Sequence, residues 1–160
     1  MPANAYIYGP KYARSSDQSS ITYLSKQGAN AMDGNYGNSK HSDLRLVIGA
    51  IRRAIPELSG VMIASQDGLA IAHDFPDGEA ERVAAMAATA LGLGKRISER
   101  TNMGELAEAV IRGENGYLVV YGAGSDAVLV MQGPIDSNLG LMRIEARVAS
   151  VEIKQLLART

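Results

Sequence analysis

The sequence predicts a layered α/β domain, three helices and five strands built around one sheet, behind a polar extension. Three observations lead there. Apolar residues alternate between helical and strand spacing in the order helix, two strands, helix, three strands, helix. The connections inside each strand group are short, and short turns demand antiparallel neighbours. The second helix carries a run without charge, Val83–Gly94, that asks for cover on more than one side. Such elements stack into layers around one mixed or antiparallel sheet.

Residues 1–40 form the extension. They hold five of the seven tyrosines (Tyr6, Tyr8, Tyr12, Tyr23, Tyr36) among Ser, Asn and Gly. Lys11, Arg14, Lys26 and Lys40 against Asp17 and Asp33 give them a net charge of +2. So little aliphatic content builds no core, and the segment is expected to be flexible. The pieces AYIY (5–8) and SITYL (20–24) could pair as strands or dock on a partner.

Residues 41–160 are the expected domain. In its first helix Leu44, Val47, Ile48, Ile51 and Ile55 share a face, with Ser42 or Asp43 as cap and Pro56 as stop. Ser59-Gly60 turns the chain into a strand at Val61–Ser65. Gln66-Asp67-Gly68 is a hairpin signal, and Leu69–His73 returns. Phe75-Pro76-Asp77-Gly78 leads into the second helix, 79–100. Three strands follow Asn102 and Gly104, at Leu106–Ile111, Tyr117–Tyr121 and Ala127–Met131. Glu114-Asn115-Gly116 joins the first pair, Asn-Gly suiting a type I′ turn, and Gly122–Ser125 joins the second. After Gly133-Pro134 a last helix runs from about Ser137 to Leu157, with Leu141, Ile144, Val148 and Val151 along one stripe.

The second helix is the most informative element. Asp77 can cap it, Glu79 and Glu81 sit in a first turn that favours negative charge, and Lys95, Arg96 and Arg100 follow near its end. Between them no polar face exists for more than three turns. A bilayer span needs about 20 apolar residues, so the run is too short to cross one. The domain's own sheet covers one side; the other calls for a second protein surface, most simply a symmetry mate. Ala84, Ala88 and Gly92 lie four apart, with Ala87, Ala90 and Gly94 on neighbouring rows. An interior glycine costs a helix about 1 kcal/mol relative to alanine, which is tolerated where a backbone must come close to something. Ala84, Ala87, Ala88, Leu91, Gly92 and Lys95 are therefore the expected dimer seam.

Composition narrows the chemistry. A net charge of −1 and a pI of 6.1 advertise no nucleic-acid partner. Zero cysteines remove disulfides, thiolate catalysis and cysteine zinc sites together. No apolar segment resembles a secretory signal or a membrane span, so a cytoplasmic location without membrane insertion is expected. LGLGKR (Leu91–Arg96) fails as a phosphate loop: Thr89 stands where a glycine is required and Arg96 where Ser or Thr would hold magnesium. GAGSD (Gly122–Asp126) has no helix behind it to receive a phosphate. His41 and His73 lack paired ligand spacing. Asp74, Asp77, Glu79 and Glu81 read as helix capping, or more sharply as an acidic rim beside the apolar helix. Arg52-Arg53 reads as a solvated face, and no serine lies in a nucleophile elbow. No catalytic set and no cofactor are expected.

GVMIASQDGLAIA (Gly60–Ala72), the Ala-rich helix 79–100, GYLVVYGAGSDAVLVM (Gly116–Met131) and NLGLMRIEARVASVEIKQLL (Asn138–Leu157) together resemble the roadblock family, the dynein-light-chain-like domains. The resemblance covers roughly residues 43–158. Its most telling pieces are the Asp67-Gly68 hairpin and the Asn138-Leu139-Gly140 start of the last helix. It implies a five-stranded antiparallel sheet with the second helix on one face and the first and third on the other. It also implies a homodimer in which second helices pair and third strands join edges. Bacterial members look like partners of small Ras-like GTPases that dock on the second-helix side. They act as co-regulators of nucleotide hydrolysis or exchange and help place the switch protein.

The expected function is accordingly a non-enzymatic homodimer that binds a small Ras-like GTPase through the surface around Phe75, Asp77, Glu79, Arg82 and Met86. The alternative is a structural adaptor in which residues 1–40 recruit a motor, filament or membrane assembly. A small-molecule sensor ranks third, because few polar groups converge on a pocket. An enzyme ranks last.

Overall fold

Two long strands form the middle of the sheet. β1 (Gly60–Ser65) runs antiparallel to β5 (Ala127–Pro134), from Gly60 opposite Gln132 to Ser65 opposite Ala127. β5 in turn pairs with β4 (Gly116–Ala123). The shorter β2 (Ala70–His73) and β3 (Ala109–Arg112) are the edges, giving the order β2-β1-β5-β4-β3 with every pair antiparallel. Three helices complete the chain: α1 (Gly34–Ala54), α2 (Ala80–Arg100) and α3 (Leu139–Ala158). The structure, a computed structural model, describes residues 34–76 and 78–158. Residues 1–33, most of the expected extension, lie outside the described residues.

Strand side chains alternate between faces. Val61, Ile63, Val119, Tyr121, Leu129 and Met131 enter one layer; Met62, Ala64, Val120, Val128 and Val130 enter the other. All are buried, which is why β1 and β5 read as unbroken apolar runs and not as alternating ones. α1 and α3 cover the first layer with Leu44, Val47 and Ile51 and with Met142, Ala146, Ala149 and Ile153, and Ile55 just past α1 joins them. α2 covers the second with Ala80, Ala84, Ala87 and Leu91, joined by Phe75. The element order, the antiparallel sheet and the one-and-two division of helices agree with expectation.

Several local expectations do not hold. α1 starts at Gly34, ahead of Ser42 and Asp43. Residues 34–41 carry no apolar stripe, so periodicity is silent there, yet a nucleated helix gains one hydrogen bond for each residue added. β3 starts at Ala109, not Leu106. The β3–β4 connection is not a type I′ turn, which needs positive φ at both central residues; neither Asn115 nor Gly116 has it. The Gly113 N–H donates to the Gly116 carbonyl at 2.9 Å, and Gly116 already belongs to β4 opposite Pro134. The stripe Leu141, Ile144, Val148 and Val151 is not the core stripe of α3. Ile144, Val148 and Val151 are exposed, and Met142, Ala146, Ala149, Ile153 and Leu156 are buried instead. Asn138 does cap α3: its Oδ1 accepts from the Leu141 N–H at 3.0 Å.

Candidate functional site

The outward side of α2 is the candidate site. Once Ala80, Ala84, Ala87 and Leu91 pack on the sheet, helical geometry turns Arg82, Met86, Thr89, Leu93 and Ile97 outward. Met86, Leu93 and Ile97 are 62%, 56% and 50% exposed. Beside this apolar ridge runs a shallow groove of about 480 Å³ between α2 and the β1–β2 turn, bordered by Asp67, Ala85, Ala88, Thr89, Gly92 and Arg96.

The turn is locked against the helix. Gly68 has φ +90°, and a Cβ there would stand 2.8 Å from the Ala85 Cα, so backbone meets backbone. The Gly68 N–H donates to the Ser65 carbonyl at 3.0 Å, and the Leu69 N–H to Ser65 Oγ at 3.0 Å. The two helix glycines differ. A Cβ on Gly94 would collide with Leu106 Cδ2 at 2.8 Å, whereas one on Gly92 would meet nothing within 4 Å. Close packing within the chain therefore accounts for Gly94 and leaves Gly92 open to the outside.

The expected seam residues divide between two sides of α2. Ala84, Ala87 and Leu91 are buried against the chain's own sheet; Ala88 and Lys95 are half-buried on the flank, and Gly92 is exposed. The expected partner set divides as well. Phe75, only 6% exposed, lies in the core, where its ring fills the space a Cβ on Gly60 would occupy at 2.7 Å. Asp77 lies outside the described residues, and the position before α2 is Glu79, without a side-chain cap bond. Glu79, Arg82 and Met86 are exposed, Glu79 facing Arg82 at 3.7 Å. Leu93, Ile97 and Ala85 were not anticipated. For Leu93 and Ile97 the signal is the spacing 82, 86, 89, 93, 97, complementary to the sheet-facing set; Ala85 carries no such signal.

The rim is less acidic than the sequence suggests. Asp74 accepts from the Val61 N–H at 2.6 Å and pairs with Arg52, which also donates to the Leu58 carbonyl. Arg52 thus braces α1 against the start of β1 and the end of β2, and is not a solvated side chain. His41 is exposed on α1 and His73 half-buried at the end of β2. Among the described residues no group of three or more His, Asp or Glu is arranged to hold a metal ion. No described helix is long and apolar enough to cross a membrane.

The sheet edge at β3 adjoins a polar cluster. β3 pairs with β4 on one side only, and Val110 and Ile111 are exposed. Just before it, Glu108 accepts from the Tyr121 hydroxyl and from Arg143 Nε at 2.6 Å, tying the edge strand to β4 and α3. Burial first, and then the Glu108 carboxylate, hold the Tyr121 hydroxyl proton far above the ordinary tyrosine range.

Comparison with known proteins adds to this geometry. The Roadblock/LC7 domain matches residues 52–133. The uncharacterized protein MJ1340 of Methanocaldococcus jannaschii is 37% identical over 100 residues, 62% of this chain and 87% of that protein. The uncharacterized protein MJ0714 of the same organism is 35% identical over 118 residues, 69% of this chain and 99% of that protein. Among solved structures, the gliding protein MglB of Thermus thermophilus superposes with a TM-score of 0.68 at 17% identity, over 76% of this chain and 93% of that one. A Roadblock/LC7 domain of Streptomyces avermitilis gives 0.67 at 21% identity, over 72% and 98%. At these identities the superpositions speak for the fold alone, while the sequence match spans half the chain, from the α1 arginines through β5. The chain belongs to the Roadblock/LC7 domain family.

Proposed function

We propose that this chain is a non-catalytic homodimer that binds a small Ras-like GTPase and modulates its nucleotide cycle or its placement in the cell. In this reading α2 packs against α2 of a second copy, and two β3 edges join into one continuous sheet. The observation that carries the dimer is the outward side of α2, where Leu93 and Ile97 flank the small residues Ala85, Ala88 and Gly92. An apolar helix face of this kind is stabilised by covering it, at about 25 cal/mol per Å² removed from water. The edge strand supports the same arrangement, because exposed Val110 and Ile111 on a strand paired on one side only form an association hazard unless something covers them. Glu79, Arg82 and Met86 at the start of α2 form the surface offered to the GTPase, and the family resemblance assigns the partner class.

Affinity capture on the full chain, run in parallel with a GTP analogue and with GDP and read by mass spectrometry, tests the partner. Enrichment of a small GTPase in one nucleotide state is the expected result. Recovery of filament, motor or membrane components in both states, with no GTPase, overturns the proposal in favour of an adaptor.

A further inference from the structure

The turn between β3 and β4 carries the chain's one Asn-Gly sequence, Asn115-Gly116. This pair has a chemistry of its own. When nothing shields it, the backbone nitrogen of the glycine attacks the side-chain amide carbon of the asparagine and expels ammonia, closing a cyclic succinimide. Water then opens the ring at either carbonyl, leaving aspartate or isoaspartate. The net change is one amide and one water to one carboxylic acid and one ammonia, with nothing oxidised or reduced. A side chain on the second residue hinders the attack, and so does a hydrogen bond that holds its N–H elsewhere.

The turn leaves Asn115 without either shield. Asn115 is exposed, as are Gly113 and Glu114 beside it. Gly116 turns its backbone groups toward Gly113, whose N–H donates to the Gly116 carbonyl at 2.9 Å; among the described residues no bond runs back from the Gly116 N–H. A closed pair would exchange both bonds, and the nitrogen left over is the attacking atom. Asp67-Gly68 is the contrast within the same chain. There the Gly68 N–H donates to the Ser65 carbonyl at 3.0 Å and the backbone presses on Ala85, so the nitrogen is held. Nor is there room at position 116 for a shielding side chain, since a Cβ would stand 2.4 Å from the Gly133 carbonyl oxygen. Packing against β5 fixes the glycine, and the glycine exposes Asn115.

We infer that Asn115 is a site of self-modification, converted through a succinimide to isoaspartate, and that the conversion loosens the β3 edge. Isoaspartate routes the main chain through the former side chain, adding one carbon to the backbone of the turn and a negative charge beside Glu114. The Gly113–Gly116 bond spans that turn, and Arg112, 5.9 Å from the centroid of the Tyr117 ring, pairs with Tyr117 just outside it. A lengthened turn does not keep that closure. β3 is four residues long and paired on one side only, so it has little else to hold it beyond the Glu108 contacts at its other end. The site goes beyond the GTPase reading and does not depend on it.

The test ages the full chain at mildly alkaline and mildly acidic pH and follows its tryptic peptides by mass spectrometry, with electron-transfer fragmentation to tell isoaspartate from aspartate. Asn115 is expected to deamidate before Asn102 and Asn138, faster at the alkaline pH because the attack needs a deprotonated nitrogen, and to yield both acids. Asn115→Gln, whose longer side chain closes a ring far more slowly, is expected to stay intact over the same time. Hydrogen exchange then compares the fresh chain with the isoaspartate form isolated by ion exchange. The amides of Ala109 and Ile111, which alternate with Gly113 in facing β4, are expected to lose protection roughly two- to tenfold, the worth of about one backbone hydrogen bond. Asn115→Asp, which adds the charge without the extra carbon, is expected to keep the protection of the fresh chain. Four results overturn the inference: an Asn115 that outlasts Asn102 or Asn138, aspartate formed without isoaspartate, unchanged exchange at Ala109 and Ile111 in the isoaspartate form, or an equal loss in Asn115→Asp.

Discussion

Replacing Gly92 by alanine separates what the chain needs from what its proposed partner copy needs. Gly92 lies inside α2 with ordinary helical geometry, and a Cβ there meets nothing within 4 Å. For the isolated chain the added methyl is therefore pure gain: alanine is favoured over glycine in a helix interior by about 1 kcal/mol. For a dimer packed through this side of α2 the same methyl intrudes where a second backbone approaches, and overpacking costs typically 1–3 kcal/mol. The two effects have opposite signs and are read by different assays. Urea unfolding at dilutions where the chain is monomeric should show stabilisation of about 0.5–1 kcal/mol in Gly92→Ala. Sedimentation over a dilution series should show a dimer dissociation constant raised about tenfold, corresponding to about 1.4 kcal/mol. Unchanged or tighter dimerisation would refute the α2 seam. Destabilisation of the monomer would refute the open environment of Gly92.

Two further outcomes test the supports of the site. Gly68 and Gly78 both have positive φ, +90° and +84°, but only Gly68 faces the α2 backbone at 2.8 Å. Gly78→Ala should lose about 1–2 kcal/mol for the left-handed backbone alone, and Gly68→Ala clearly more in urea unfolding; equal losses would mean that the turn does not press on Ala85. The raised Tyr121 pKa means that the folded state holds a proton which the unfolded chain releases near pH 10. Its contribution is complete below that pH and declines as pH rises above it. The stability of the wild type should therefore fall more steeply above pH 10 than that of Tyr121→Phe, and parallel curves would contradict the buried hydroxyl.

How far the sequence could be read depended on how sharply each residue type distinguishes one environment from another. Val61–Ala64 and Ala127–Met131 are apolar on both faces, and only a covered central strand accommodates that. The two sides of α2 were harder to tell apart, because alanine suits either side of a helix. Ala84 and Ala87 meet the sheet while Ala85 and Ala88 border the outer groove, and no polar residue marks the division. α3 misled for the opposite reason: its bulky Ile144, Val148 and Val151 outweigh the alanines Ala146 and Ala149, yet the small residues face the sheet and let the helix approach it. Phe75 was expected on the partner surface with the acidic rim, yet it is buried. Only the neighbouring Gly60 reveals the space it fills.

The sheet's strand order also governs how the chain assembles. β1 meets β2 after a tight turn, but its other neighbour, β5, lies about 60 residues further along. Non-local pairing of this kind is slow, because the intervening chain must be ordered before the contact forms. During synthesis the β1–β2 hairpin emerges with Val61–Ala64 bare along one edge and stays so until β5 has been made. In that interval the nascent chain exposes an apolar strand that its finished sheet never shows, and its best protection is speed of translation or a chaperone.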